Sequence, residues 1–368
     1  MSDYPSDWEE VELGQAFGVK RGDSSLTKSA YRQRGVLAFS ASGPDGFVEE
    51  CQNEGDGIVI SSVGAQCGKI FKATGKWTAI NNTIAITERN ERHSIDYLFH
   101  LLDRQDILLP EGGAQPFISQ KEVVGATLHF PPLPEQKKIA DILSGIDKVL
   151  TSLQLHEDKL RLARDEVVAT FFSDESKSDE IAEIRSFCEI VTGSTPPTNN
   201  PLNYGGAMPF ISPGDIGDSA VVAETKSTLS AAGAAMSRVI PPSSVCVVCI
   251  GSTIGKVALT TTESATNQQI NALTPGAYDP FFMLAAISHM RNEIRNAAST
   301  HAVPIINKSR FGEISIPKPN IERQRQFGSY ISSSHKMLSQ IMMEIQKYQY
   351  LKKAVASDLL SGRKRVSI

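Results

Sequence analysis

Between Pro131 and Phe172 apolar residues recur every seven positions, at Ile139, Ile146, Leu153, Leu160 and Val167. That is the spacing of a helix packed lengthwise on another helix. Ile142, Val149 and Ala163 supply a second seam three residues further on. The pattern returns in the second half of the chain, under one shift of the numbering that carries Ile139 to Phe327. Phe327, Ile341, Tyr348 and Val355 then fall on the first seam and Tyr330, Met337 and Leu351 on the second. Prolines precede both stretches, in Pro131-Pro132-Leu133-Pro134-Glu135-Gln136 and in Pro317-Lys318-Pro319, where the first-turn N–H groups need no intrahelical partner. The spacing predicts two helices, over 135–173 and 322–360, each about 55 Å long at 1.5 Å per residue. Their matching length favours an intramolecular antiparallel coiled coil, because pairing within one chain avoids the translational entropy cost of association.

Ahead of each helix, short β-like runs alternate with Gly, Ser and Asp. In the first stretch Gly55-Asp56-Gly57 leads into Ile58-Val59-Ile60, then Gly64-Ala65-Gln66-Cys67-Gly68-Lys69, then Asn81-Asn82-Thr83 and Ile84-Ala85-Ile86. A helix is expected over Ser94–Leu109, followed by a turn and strand-like sequence at Gln115-Pro116-Phe117-Ile118-Ser119. The second stretch repeats the order. Val245–Ile250 precedes Gly251-Ser252-Thr253-Ile254-Gly255-Lys256, then Asn267-Gln268-Gln269, a helical stretch over Phe281–Asn296, and Val303-Pro304-Ile305-Ile306-Asn307. The near-constant offset makes the chain two copies of one module. The expected architecture is α+β, with two similar domains of mixed sheet and helix at 1–134 and 181–321. They are separated by the two helices, with a polar linker at 174–180, a basic tail at 361–368, and a pseudo-twofold repeat that returns the C-terminus close to the N-terminus.

Composition is that of an ordinary soluble protein, with 40% hydrophobic and 21% charged residues. No apolar run reaches the ~18 residues that span a bilayer, and the polar start is not a signal peptide; a cytoplasmic location is expected. Cys246 and Cys249 are spaced as a metal or redox pair, yet they lie in a buried strand where three-residue spacing sends the thiols to opposite faces. Core packing is the reading, and no metal is expected. A net charge of −4 counts against a simple nucleic-acid binder, although Lys20, Arg21, Lys28, Arg32 and Arg34 crowd one segment with only Asp23 against them. That density, interleaved with Ser24, Ser25 and Thr27, suits phosphate contact. The Gly-x-x-x-Gly-Lys elements have three residues between the glycines and lack the following Ser or Thr of a phosphate-binding loop. Lys69 and Lys256 are surface lysines or phosphate contacts. Asn81, Asn82, Asn267, Gln268 and Gln269 can pair bidentately with adenine or serve turns.

Several motifs in order carry a resemblance: Gly193-Ser194-Thr195-Pro196, Tyr204-Gly205-Gly206, Pro209-Phe210-Ile211-Ser212-Pro213-Gly214-Asp215-Ile216, the Gly251–Lys256 turn, Asn267-Gln268, the Pro-Pro-Leu-Pro-Glu-Gln approach, and Leu359-Leu360-Ser361-Gly362-Arg363. With them the chain resembles the specificity subunits of type I restriction-modification systems. The resemblance implies a non-catalytic DNA-recognition subunit with two target recognition domains, each reading half of a split, asymmetric site. It implies helices that set the gap and dock methyltransferase subunits, two of them, with restriction subunits as possible further partners and S-adenosylmethionine bound by the partners. The first domain departs from the pattern, with Gly18-Val19-Lys20-Arg21-Gly22 where the second has Gly-Ser-Thr-Pro. Candidate DNA contacts are Lys20, Arg21, Ser24, Lys28, Arg32, Lys69, Asn81, Asn82, Thr195, Ser252, Lys256, Asn267, Gln268 and Gln269. Leu143, Leu150, Ile331 and Leu338, read as facing outward, are candidate partner contacts. The competing reading is a coiled-coil scaffold carrying two peptide- or carbohydrate-binding domains.

Overall fold

The computed structural model describes residues 4–104, 107–113, 115–173, 180–217, 219–222, 224–299 and 303–367. The chain divides into two compact units, 1–152 with 346–368, and 153–345. Most of the expected linker, 174–179, lies outside the described residues.

In the first unit Phe17–Arg21, Thr83–Glu88, Gly57–Ser61 and Ile70–Ala73 form one antiparallel sheet in that order. A second sheet has the order Gly43–Val48, Val36–Ser40, Lys76–Ala79, Asn53–Glu54, and its central pair is parallel. The run Ile58-Val59-Ile60 is apolar at every position because both faces of its strand are covered. Ile58 and Ile60 pack with Phe17, Ile84, Leu98 and Ile139, whereas Val59 packs with Phe39, Trp77 and Ala85.

The second unit repeats this plan. Ile190–Thr192, Ile270–Leu273, Val245–Val248, Val257–Thr260 and Val221–Val222 make one sheet. Tyr204–Ile211 pairs in parallel with Ser264–Thr266 in the other. Alternation again splits one strand between two cores, with Val245 and Val247 on one side and Cys246 and Val248 on the other. Cys249 joins the first of these cores, so the two thiols face apart, and burial pushes both up to about 12. Each unit also has a two-stranded ladder that leads into its long helix: Glu9–Glu12 with Thr127–Phe130, and Glu180–Glu183 with Ser315–Lys318.

Three expectations change. The first-unit helix is Ile95–Leu102, capped by Ser94, and residues 105–106 of the expected stretch lie outside the described residues. The run from Phe281 is two helices, Pro280–His289 and Arg291–Ala297. The strand-like stretch after Pro116 contributes only single bridges at Phe117 and then enters a helix, Gln120–Gly125. Its capping box of Ser119 and Glu122 is a start signal legible in the sequence.

The long helices are Leu133–Ser173 and Ile321–Leu359. Gln136 is buried, accepts from the Ser94 N–H at 2.8 Å and donates to the Pro131 carbonyl at 2.8 Å. Gln324, its equivalent in the repeat, accepts from the Asp279 N–H at 3.0 Å and donates to the Pro319 carbonyl at 2.8 Å. The glutamine after each proline brake therefore ties the start of the long helix to the cap of a shorter one. Within the first unit Lys352 bonds Asp147, and within the second Phe171 stacks on Phe327 at 3.8 Å between ring centroids. Early residues of one helix thus meet late residues of the other, as an antiparallel pair requires. At the far end, Arg365 bonds both Glu135 and Asp7, which brings the tail back to the first residues.

The second seam lies one residue later than its apolar count suggested. Val149, Tyr330, Met337 and Leu351 are exposed, whereas Leu143, Ile331 and Leu338 are 0%, 1% and 3% exposed and Leu150 is half-buried. These four therefore do not face outward. They belong with Glu157, Arg164, Ile345 and Lys352 to a seam four residues after the first. The charged members disguise it, and a count of apolar residues alone favours the neighbouring row.

Candidate nucleic-acid interface

At one end of the first unit's main sheet four segments are stapled by backbone hydrogen bonds. The Gly64–Lys69 turn has Gly64 and Gly68 at φ 89° and 87°, a region that favours glycine. It is held by Gly64 N–H to Pro116 carbonyl at 2.9 Å and Ile118 N–H to Ser62 carbonyl at 2.8 Å. The Asn81-Asn82 turn joins it through Ser62 N–H to the Asn82 carbonyl at 2.9 Å. The segment after Arg21 closes the group through Gly22 N–H to the Thr83 carbonyl and Asp23 N–H to the Ala79 carbonyl, both 2.9 Å.

The second unit builds the same end from the matching residues. Gly251 and Gly255 have φ 101° and 84°, Gly251 N–H donates to the Pro304 carbonyl, and Ile306 N–H donates to the Cys249 carbonyl. Gly193 N–H donates to the Ile270 carbonyl at 3.0 Å and Ser194 N–H to the Thr266 carbonyl at 2.9 Å. The proline turns at Pro116 and Pro304 thus have one job in both modules, to pin the glycine turn.

This register identifies a correspondence that spacing concealed. A Cβ on Gly193 would lie 2.2 Å from the Asn267 carbonyl oxygen, and one on Gly22 would lie 2.0 Å from that of Ile80. Gly22-Asp23-Ser24-Ser25 is therefore the first domain's counterpart of Gly193-Ser194-Thr195-Pro196, and Gly18-Val19-Lys20-Arg21 is the strand before it. Gly22 and Gly193 stand closer together in the chain than Gly64 and Gly251 or Gln136 and Gln324 do, so a constant offset could not find the match.

The structure gathers Lys20, Arg21, Ser24, Lys69, Asn81 and Asn82 at the first sheet end, and Thr195, Ser252, Lys256, Asn267, Gln268 and Gln269 at the second. Thr195 Oγ1 donates to Gln268 Oε1 at 2.5 Å across two of these segments. Asn267 Nδ2 donates to Gln269 Oε1, and Asn267 Oδ1 accepts from the Gln269 N–H, both 3.0 Å. Asn81 Oδ1 accepts from the Asn82 N–H. Lys28 and Arg32 lie apart from this group and are engaged locally. Asp45 accepts from Lys28, Tyr31 and Ser40, and Arg32 pairs with Glu49. Burial raises the Asp45 carboxyl, but those three donors outweigh it and leave it below the usual carboxylate range. The early basic cluster is thus partly neutralised, while Lys20, Arg21 and Arg34 have no ion pair among the described residues.

Asp215, prominent in the second domain's motif, accepts from Ser212 Oγ and from the N–H groups of Ser212 and Lys226. Its carboxyl is raised by burial and lowered further by those bonds, so it staples a turn. Among the described residues no His, Cys, Asp and Glu are grouped to hold a metal ion, and no helix is long and apolar enough to cross a membrane.

The fold and the paired sheet ends define a class, that of chains built from two copies of one domain, each leading into a long helix. A crystal structure of the type I S subunit from M. genitalium superposes with a TM-score of 0.74 at 16% identity, covering 98% of this chain and 99% of that one. The sequence model of the type I restriction modification DNA specificity domain matches residues 5–160 and 177–348. The chain belongs to that family, whose members are the non-catalytic, DNA-sequence-recognition components of their systems. Among relatives, the putative MjaX specificity subunit of Methanocaldococcus jannaschii is 21% identical over 100% of this chain and 96% of its own length. The HindI specificity subunit of Haemophilus influenzae is 31% identical over 149 residues, 39% of this chain and 32% of that protein. The chain thus spans about a third of the length of one relative and nearly all of the other.

Proposed function

We propose that each unit reads one half of a split DNA site with its stapled sheet end, that the helices set the gap between halves, and that modification subunits dock on the helices and carry S-adenosylmethionine. The observation that supports this most is the duplication of one recognition surface with different side chains on it. Lys20, Arg21 and Ser24 stand on the first copy near Asn81 and Asn82, and Thr195 stands on the second bonded to Gln268. Backbone geometry is shared while base-reading groups differ, as a split asymmetric site requires. Asn and Gln read adenine edges, and Arg and Lys read guanine edges or phosphates.

For the partners, the exposed faces of the helices replace the residues singled out from sequence. Leu155 and Leu162 are exposed on the first helix, and so are Met343 and Tyr350 at the equivalent positions of the second. Apolar pairs repeated on both helices suit two copies of one partner. Restriction subunits and a cytoplasmic location follow from the same reading.

A gel shift of duplex DNA by the full chain, repeated across a salt series, tests the DNA step. Affinity should fall steeply and linearly in log–log form with salt, because phosphate contacts release counterions. Binding that ignores salt, or is absent at low salt, would favour a scaffold with peptide- or carbohydrate-binding domains.

A further inference from the structure

The two units differ where their long helices pass the shorter ones. Gln136 caps Ser94 and Gln324 caps Asp279 in the same way, so both units can be counted from these anchors. Nine residues past the caps stand Asp103 and Ser288; eleven past the glutamines stand Asp147 and His335; twenty-eight past them stand Arg164 and Lys352. In the first unit these places make a closed network. Lys352 Nζ bonds Asp103 and Asp147, each at 2.8 Å, and buried His100 lies 3.8 Å from Asp147 and 2.9 Å from Ser144.

In the second unit both carboxylates are gone. Ser288, His335 and Arg164 line a cavity of about 450 Å³, with Arg161, Lys256 and Arg291 in the same wall. Asp165, itself largely exposed and paired with Arg164, is the one acidic group of the lining among the described residues. Arg161 is held by Glu157 at 2.8 Å. Burial first, then Arg164 and Arg161, push the His335 imidazole down to about 4, so it stays neutral and can donate or accept one bond. Asp165 and Glu157 each offset one of the four cations, and Lys256 and Arg291 have no ion pair among the described residues, so the open volume keeps a positive surplus that favours an anion. Guanidinium groups present forks that match phosphoryl oxygens, and the lysine adds a point charge.

We infer that this cavity of the second unit is a phosphate-binding site, one per chain, accepting a phosphoryl group that the matching place in the first unit excludes with Asp103 and Asp147. Two sources share that chemistry, the backbone of bound nucleic acid and a free polyphosphate. The first rests on the DNA-recognition reading, and the cavity itself does not.

Calorimetric titration of the full chain with pyrophosphate, at ionic strength matched with chloride, tests the inference. One site per chain is expected. Ser288→Asp, which restores the acid of the first unit at an exposed position, should weaken it at least tenfold, as should Arg291→Gln, while Lys76→Gln, at an exposed strand position of the first unit outside its sheet end, leaves it unchanged. Gel shifts on an arbitrary duplex then identify the source. Loss of affinity in Ser288→Asp with a shallower salt slope assigns the site to DNA backbone, and unchanged DNA affinity assigns it to free polyphosphate. No pyrophosphate binding by the wild-type chain, or equal binding by Ser288→Asp and Arg291→Gln and the wild type, overturns the inference. A chain that binds pyrophosphate but no DNA would defeat the DNA reading and leave the site standing.

Discussion

The phase of the helix seam can be tested by removing side chains from adjacent rows. Leu143 is fully buried among Ile139, Ala140, Leu98 and Leu359, and Val149, in the row first favoured by apolar count, is 37% exposed. Leu143→Ala deletes three carbons from a filled site and should cost about 3 kcal/mol, within the range for buried leucines. Val149→Ala loses only partial burial and gains about 0.5 kcal/mol of helix propensity, for a net change under about 0.5 kcal/mol. The repeat demands the same contrast in the second helix, between Leu338→Ala and Met337→Ala, since Leu338 is buried and Met337 is exposed. Urea unfolding measures the totals. Because two units need not unfold together, amide hydrogen exchange should place the loss in residues 95–102 and 133–152 for Leu143→Ala. A Val149→Ala cost above about 2 kcal/mol beside a near-silent Leu143→Ala would refute the assigned seam.

Gly22→Ala and Gly193→Ala each force a Cβ to within 2.0 or 2.2 Å of a backbone oxygen, so each should displace one sheet-end segment; DNA affinity should drop at least tenfold with far-ultraviolet circular dichroism unchanged. Leu155→Asp with Leu162→Asp should leave the unfolding midpoint within a few degrees yet abolish co-purification with the modification subunit, since both side chains are exposed and each buried leucine contributes about 1.5–3 kcal/mol to an interface. Undiminished co-purification would place docking elsewhere.

The long helices, the repeat and the glycine turns were legible in the sequence because each has a period or a φ requirement that few residues meet. Three features were not. The second seam carries Glu157, Arg164 and Lys352, long side chains whose apolar stems pack while their charged ends reach solvent or partners; hydrophobicity counting passes over such residues. Gly22 escaped because its domain is shorter between that glycine and the Asn81 turn, which breaks the constant offset, and its identity rests on the close approach of the Ile80 carbonyl. The cavity at Arg164 and His335 collects residues from distant segments, and its character is set by what stands in place of Asp103 and Asp147. Within the basic cluster Lys28 and Arg32 are engaged by Asp45 and Glu49, which come well after them in the chain, so spacing along the sequence does not show the pairing.

The most direct test of two-headed recognition is to replace residues 1–134 with the corresponding domain of another family member and sequence the methylome of a host carrying the chimaera with its modification subunit. One half of the methylated motif should change while the other half and the gap stay as in the wild type. A motif altered in both halves, or in neither, would contradict it.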